Sequence, residues 1–416
     1  MSGNTCQTHA SRSFSEPHIR LIAKLYRHPD LANRVRVLIY DRNNHCNQYG
    51  TEYLTEDLFD GAWNAWAHSA LGQNLIDEAS GQGAQDLNTW KIHLRAFCAQ
   101  AWIALLLPRL TYINRLELYV EGGDFFQVIF TRAAEGRRPF GEPPPYRFLR
   151  EVCVHNNEPG VVIWSDFMSP FFCLPAVREI EVDFLLDADN PLGGQLPLDV
   201  STMNRPPCAV TRIKVYNGII FNGLVEWIAT CTQLEHFEVH FNFLNKDQSY
   251  VFDHRVFRTA LLQAKDTLLS IYLCFDETYH GTCTQRIPWP LNDDMSILED
   301  TAFGSFKEFD VLQHLSMRHR NLVDPPGFVD DDDTPPQYLD DLLPKSLKTL
   351  EVFDIDEADF PSLEEELLHL ISNRESAVPE LEKITLNLDD ESEDFDDAFI
   401  VLGEACREAG VWLILE

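Results

Sequence analysis

The chain has 416 residues and carries 66 acidic against 33 basic side chains, a formal net charge of −33. Apolar residues make up 45% and aromatic residues 11%, so a sizeable core can be buried and general disorder is excluded. A surface this acidic repels phosphate backbones and anionic lipids, which argues against nucleic acid and membranes as partners.

The N-terminal residues predict a short tail followed by a helix. Residues 1–14 are polar and are expected to form a disordered tail. A helix is predicted to begin at Ser15, because Pro17 is tolerated in a first turn, and to end before Pro29. Its apolar face is formed by Ile19, Ile22, Leu25 and Tyr26.

A second helical region is predicted between Thr51 and Pro108. Asp86 is suited to cap one long helix that ends before Pro108. The residues on or near the inward side of this helix are Trp90, Leu94, Phe97 and Trp102. We therefore expect residues 15–109 to form a helical N-terminal cap that contains the first strand.

One short apolar pattern recurs along the chain. Its form is φ-x-x-φ-x-φ, where φ is apolar, and from the second copy onward it recurs every 24 to 44 residues. The first apolar residue of each copy is Val35, Ile113, Leu149, Val177, Val210, Leu234, Leu268, Leu312, Leu347 and Leu381. The alternating part predicts a short strand with one buried face.

Segments with helical periodicity lie between these strands. They cover residues 222–231, 254–265, 361–373 and 396–409, and Gly410 is a suitable residue to end the last of them before a final strand over 411–415. Strand and helix in alternation predict an α/β fold in which irregular repeats over 110–416 stack into a curved parallel sheet with helices on the outer face. Irregular insertions are expected at residues 187–207, 276–292 and 318–338.

The ten cysteines are scattered and contain no CxxC pair. Several lie inside apolar, strand-like runs, which is typical of reduced thiols in a core and argues against a disulfide framework. The N-terminus shows no signal peptide, and Ala101–Leu107 is too short to cross a bilayer. A cytoplasmic or nuclear location is predicted.

The repeat pattern resembles the leucine-rich repeat in its long, helix-bearing form, over about residues 110–416. In that family an Asn or Cys at the ninth position bonds the turn backbone. Here it is Asn43, Asn157 and Asn242 in some copies, and Asp276, Arg320, Ile355 and Asp389 in others. The asparagine ladder is therefore largely missing. The resemblance implies a solenoid whose concave, strand-lined surface binds another protein.

Residues 25–38, LYRHPDLANRVRVL, resemble the entry segment of fungal F-box/leucine-rich-repeat proteins. In such proteins a helical F-box precedes this segment and recruits a ubiquitin ligase. Only 14 residues precede Ser15, too few for a three-helix module, so no F-box is expected here. The resemblance implies the substrate-recognition half of such a protein.

The x positions of the repeats predict which side chains line the concave face. The residues that we expect to bind a protein are Arg212, Lys214, Tyr216, His236, Glu238, His240 and Tyr272. Acidic strands, with Glu179 and Glu181, precede the basic strand that carries Arg212 and Lys214. The pattern fits either cross-strand ion pairing or a polar, aromatic docking surface.

His236, Glu238 and His240 are the most chemically suggestive group, but a zinc site is not expected. The two histidines would be ~13 Å apart along an extended strand, too far to share one ion. The acidic runs at 330–333 and 389–397 lack the EF-hand pattern and indicate solvated loops. No nucleophile elbow, phosphate-binding loop or dinucleotide fingerprint is present, so no cofactor is predicted.

The charge is concentrated at one end of the chain. Residues 291–416 carry 34 acidic and 8 basic groups, a net −26, whereas residues 1–290 carry only −7. This asymmetry fits a heavily solvated surface or a basic protein partner.

The sequence thus favours a non-enzymatic interaction scaffold, with substrate recognition for a ubiquitin ligase as one role. A chaperone-like binder of basic proteins such as histones is the alternative, and an enzyme with an unrecognised site is a third.

Overall fold

A computed structural model describes most of the chain. The described residues are 8–9, 16–40, 72–74, 76–77, 84–95, 98–120, 124–141, 144–156, 163–186, 208–218, 222–241, 254–275, 302–323, 338–355, 360–388 and 396–416. They divide into two compact units. Unit 1 comprises Met1–Phe184 with Gln195–Ala209, and unit 2 comprises Leu185–Gly194 with Val210–Glu416.

Unit 1 combines short strands with helices. Its strands are β1 (Thr8–His9), β2 (Val37–Tyr40), β3 (Arg115–Tyr119), β4 (Glu151–His155), β5 (Ile163–Trp164) and β6 (Glu179–Asp183). Its helices are α1 (Glu16–Arg27), α2 (Pro29–Ala32), α3 (Ala84–Arg95), α4 (Ala99–Leu106), α5 (Asp124–Glu135) and α6 (Ser165–Phe172). A 3₁₀ turn follows α4 at Leu107–Arg109.

The strands of unit 1 pair in parallel in the order β1-β2-β3-β4-β6. Leu116, Val152 and Ile180 are aligned across β3, β4 and β6, and each is fully buried or nearly so. Helix residues cover this apolar side, as the 5.1 Å contact between the rings of Tyr40 and Phe126 shows. The core of unit 1 therefore lies between the sheet and its helices.

Unit 2 continues the same alternation. Its strands are β7 (Leu185–Leu186), β8 (Arg212–Gly218), β9 (His236–Phe241), β10 (Ser270–Phe275), β11 (His314–Arg318), β12 (Thr349–Ile355), β13 (Lys383–Leu388) and β14 (Trp412–Leu415). Its helices are α7 (Asn222–Thr230), α8 (His254–Leu261), α9 (His319–Leu322), α10 (Leu339–Leu342), α11 (Phe360–Ser372), α12 (Arg374–Ala377) and α13 (Asp396–Ala409), with a 3₁₀ turn at Leu262–Ala264.

Strands β8 to β14 pair in parallel and in chain order. One aligned row of side chains, each at most 1% exposed, consists of Ile213, Phe237, Ile271, Leu315, Leu350 and Ile384. All ten copies of the predicted pattern coincide with strands of the parallel sheets, and the final strand is present. The predicted α/β repeat fold is confirmed.

Within each unit, a ladder of backbone hydrogen bonds joins neighbouring repeats. The carbonyl just before a strand accepts two N–H groups from the following repeat, at 2.7–3.2 Å. Glu235, for example, accepts from Leu269 at 2.7 Å and from Ser270 at 3.1 Å. The accepting carbonyls belong to Arg36, Asn114 and Arg150 in unit 1, and to Thr211, Glu235, Leu269, Gln313 and Lys348 in unit 2. We call this set the carbonyl ladder.

Three local predictions differ from the structure. The long helix predicted up to Pro108 is two helices, because the backbone at Cys98, with φ −57° and ψ 108°, is not helical. The Trp102 indole N–H donates to the Leu94 carbonyl at 3.1 Å. Thr8–His9 pairs with β2 inside the predicted disordered tail. Helix α9 lies within the segment 318–338 that was predicted to be irregular.

Other predictions lie outside the described residues. These are the insertions at 187–207 and 276–292, the acidic run at 330–333, and the side chain of the proposed cap Asp86. Gly410, predicted to end a helix, has the left-handed φ of 72° that this role requires.

The aligned core row predicts a large cost for removing one member. Leu350→Ala is expected to lower the free energy of unfolding by about 2–5 kcal/mol, because a fully buried side chain would leave a cavity. Val256→Ala, at a residue 39% exposed on α8, is the control and should change it by at most about 0.5 kcal/mol. Urea denaturation measures both, and equal effects would contradict the assignment of Leu350 to the core.

Candidate protein-binding surface

The side of β8–β12 opposite the apolar core carries three rows of polar and aromatic side chains, which we call the polar strand face. The first row is Arg212, His236, Ser270, His314 and Thr349. The second row is Lys214, Glu238, Tyr272, Ser316 and Glu351. The third row is Tyr216, His240 and Cys274. All seven residues predicted to bind a protein are brought together here.

A cleft of about 410 Å³ opens on this face and is lined by the first two rows. Five of the seven predicted residues line it, namely Arg212, Lys214, His236, Glu238 and Tyr272. Tyr216 and His240 lie beside the cleft, in the third row. The cleft thus offers basic groups, carboxylates, hydroxyls and an aromatic ring within one concavity.

Glu238 lies at the centre of an ion-pair network on this face. Its two carboxylate oxygens contact different cations, with Lys214 Nζ at 3.1 Å from Oε2 and His240 Nε2 at 3.1 Å from Oε1. Lys214 lies opposite Glu238 on the neighbouring strand, whereas His240 lies two residues along the same strand. The carboxylate is therefore held in one orientation at the cleft.

The network shifts the pKa values of its members in opposite directions. The hydrogen bond from His240 lowers the pKa of Glu238 to about 2, against the effect of burial and with support from Lys214. Burial disfavours the charged form of His240, but hydrogen bonds with Cys274 and Glu238 outweigh it and raise its pKa to about 9. At neutral pH the face therefore presents charged Glu238 and charged His240.

Tyr216 continues the alternation of Arg212 and Lys214 and lies next to a backbone irregularity. The register between β8 and β9 shifts after Val215, and Asn217 has a φ of 52°, a left-handed conformation that asparagine tolerates better than most residues. The ring of Tyr216 lies 4.9 Å from that of His240, which in turn lies 5.0 Å from Tyr272. Three rings thus line up beside the cleft, and burial raises the pKa of the Tyr272 hydroxyl.

Polar contacts also order the rest of the face. His236 Nδ1 lies 2.8 Å from Ser270 Oγ. Ser316 Oγ donates to Glu351 at 2.6 Å, and Asn387 Nδ2 donates to the other oxygen of Glu351 at 3.3 Å. Burial lowers the pKa of His314, and the charge of nearby Lys348 adds to this shift. The polar side chains are therefore held in defined orientations before any partner arrives.

Sequence reasoning missed three cleft residues: Ser316, Thr349 and Glu351. They occupy the same x positions in later repeats, so applying the x-position rule to those repeats would have identified them. Arg318, two residues after Ser316 at the end of β11, is only 4% exposed.

Unit 1 carries acidic side chains on its own strands. Arg115 bridges two of them, lying 3.1 Å from Glu117 and 3.2 Å from Glu151. Burial, with the nearby charge of Glu181, raises the pKa of the Cys153 thiol to about 12, so this thiol is protonated at neutral pH. These contacts agree with the simple interpretation of the acidic strands as partly ion-paired.

Within the described ranges, no three His, Cys, Asp or Glu side chains are arranged to hold a metal ion. The seven cysteines in these ranges are free thiols. Among the helices that the structure describes, none is long and apolar enough to cross a membrane.

The Glu238 network predicts a measurable change in His240. Glu238→Gln is expected to lower the pKa of His240 from about 9 by about one unit or more, because the facing negative charge is lost. An NMR titration of the imidazole measures this shift. Glu226→Gln, at an exposed position on α7, is the control and should leave it unchanged.

The same shifts set a pH window for the network. The raised pKa of His240 stabilises the fold fully below pH 6.5, and this contribution is lost as the pH rises through about 9. The lowered pKa of Glu238 stabilises it above pH 4.5, and this is lost as the pH falls towards about 2. A His240 titration with the same midpoint in wild type and Glu238→Gln would contradict the network.

Comparison with known proteins agrees with the predicted repeats. A comparison with curated proteins gives no match. The family model described as a leucine-rich repeat domain matches residues 149–398, which is more than half of the chain and includes all of the polar strand face. The chain therefore belongs to the leucine-rich-repeat family.

Proposed function

We propose that the chain is a non-enzymatic protein-interaction scaffold and that the polar strand face binds its partner. The observation that carries the proposal is the alignment of seven polar and aromatic side chains on one side of β8–β10, in a family whose domains serve as binding scaffolds. The residues assigned to binding are Arg212, Lys214, Tyr216, His236, Glu238, His240 and Tyr272.

The chemistry of the face suits a protein surface better than a small substrate. Tyrosine and arginine contribute strongly to protein interfaces, and Tyr216, Tyr272 and Arg212 surround the charged Glu238 network. The network fixes its charges in place, so a partner with complementary charges loses little freedom on binding.

A finer role follows from the N-terminal resemblance. We propose that the bound protein is a substrate of a ubiquitin ligase, because residues 25–38 resemble the entry segment of fungal F-box/leucine-rich-repeat proteins. These residues include helix α2 and the first two residues of strand β2 in unit 1. Recovery of ligase adaptor subunits among co-purifying proteins tests this role, and their consistent absence would count against it.

Charge reversal on the face is expected to weaken binding. Arg212→Glu with Lys214→Glu should reduce affinity for the partner about tenfold or more, since two cations at the cleft become anions beside Glu238. Lys265→Glu with Lys345→Glu makes the same charge change at exposed positions outside the face and serves as the matched control. Quantitative mass spectrometry of co-purified proteins identifies the partner, and titration with that protein measures affinity. Equal affinity for both double variants would overturn the site.

A second candidate function is the binding of basic proteins. The net −26 of residues 291–416 is the observation that favours it, because a field of one sign attracts partners of the other. This binding would depend on salt more strongly than docking on the mixed charges of the polar strand face.

Neutralising exposed carboxylates separates this candidate from a merely solvated surface. Glu375, Glu380, Glu404 and Glu408 are exposed, and changing all four to Gln should weaken binding of a histone tetramer and reduce its salt dependence. The control neutralises Asp30, Glu226, Glu235 and Asp266, which are exposed in the less acidic part of the chain. Calorimetric titration at two salt concentrations measures both variants, and identical behaviour would reject a role for the acidic third.

A further inference from the structure

Strand β14 is the last strand of the parallel sheet in unit 2. Its inner side pairs with β13, and no strand among the described residues pairs with its outer side. A bare sheet edge presents unpaired backbone donors and acceptors, which another extended chain can use.

The hydrogen bonds of β14 show which backbone groups face outward. The N–H of Trp412 donates to Glu382 at 2.8 Å, and the N–H of Glu416 donates to Leu386 at 3.0 Å. Because alternate residues of a strand bond to the same neighbour, Leu413 and Leu415 direct their N–H and C=O groups away from β13. The outer edge is thus a template for one more strand.

The side chains at this edge are unusually apolar for an exposed strand. Residues 411–415 are five consecutive apolar residues and contain none of the lysines, prolines or bulges that usually protect an edge. Trp412 is 76% exposed and Leu415 is 45% exposed. On helix α13 of the same repeat, Ile400 and Val401 are more than half exposed. We call Ile400, Val401 and residues 411–415 the β14 edge.

The charge around the β14 edge selects among possible occupants. Residues 396–416 contain five acidic groups and one basic group. The basic group, Arg407, lies 3.9 Å from Glu404, and Glu408 is exposed on the same helix. A second copy of this chain would bring two acidic surfaces together, whereas a basic segment would be attracted.

We propose that the β14 edge binds an extended, apolar segment of a partner protein that is flanked by lysine or arginine residues. The segment adds a strand alongside β14, and its backbone pairs with Leu413 and Leu415. Its side chains lie next to Trp412 on one side of the sheet and next to Leu415 on the other. Its flanking cations face the carboxylates of α13. This proposal rests on the second candidate function and gives it a location outside the polar strand face.

A designed peptide tests the proposal with the intact chain. The probe is a nine-residue peptide with the sequence KKVTVTVKK, and its counterpart EEVTVTVEE keeps the same strand-forming centre. We expect the lysine-flanked peptide to bind at least about tenfold more tightly than the glutamate-flanked one. In NMR spectra the Leu413 and Leu415 amides should shift on binding and become protected from hydrogen exchange.

Two variants and a matched control locate the binding. Leu415→Pro removes an outward N–H without removing a bond to β13, and Trp412→Lys places a cation at the edge. Each should weaken binding of the lysine-flanked peptide about fivefold or more. Trp164→Lys, at a tryptophan 44% exposed in unit 1, is the control and should leave the affinity unchanged. Circular dichroism checks that each variant is folded.

The outcomes separate this proposal from the broader function. If both edge variants bind the peptide as wild type does, but binding still falls with salt, the β14 edge is wrong while the binding of basic proteins stands. If neither peptide binds at any salt concentration, the β14 edge is wrong, and the histone titration decides separately whether the binding of basic proteins stands. If wild type forms dimers by sedimentation and Leu415→Pro abolishes them, the occupant is a second copy and the proposal is overturned.

Discussion

The carbonyl ladder is the constraint on which the rest of the structure depends. In each repeat that takes part, one backbone carbonyl accepts two N–H groups from the next repeat, at the point where the strand begins. This contact uses groups that every non-proline residue has, so it tolerates wide variation in side chain and in repeat length. It fixes the start of each strand relative to its neighbour. Repeats separated by 24 to 44 residues can therefore share one register.

A shared register is what turns isolated side chains into a surface. Because side chains alternate along a strand, aligned starts place the first, third and fifth residues of neighbouring strands in rows. Lys214 thus lies opposite Glu238, which lies opposite Tyr272. The paired charges and the raised pKa of His240 follow from this alignment. The irregularity at Asn217 is a local departure from it, and it begins after the aligned pair of Val215 and Val239.

The sequence predicts the strands well, because burial leaves a visible pattern of apolar residues. It predicts local backbone conformation poorly, because backbone hydrogen bonds leave no such pattern in the sequence. Each apolar triplet marks a strand, and its x positions correctly place the seven residues of the polar strand face on one side. The carbonyl ladder has no residue signature, so the sequence does not predict it. The break at Cys98 and the left-handed Asn217 were missed for a related reason, since each depends on local backbone conformation and packing. The partner assigned to the face remains a prediction.

The same constraint that builds the face also explains the β14 edge. Each interior strand is stabilised on two sides by its neighbours, whereas β14 has a strand on one side only among the described residues. Within this part of the chain, no further repeat supplies bonds to its outer side. Leu415 continues an apolar row of the interior to this exposed position, and Trp412 adds an exposed ring on the other side of the sheet. The carboxylates of α13 repel a second acidic surface. Apolar attraction and acidic repulsion therefore act at one place, and together they favour a basic strand over another copy of the chain.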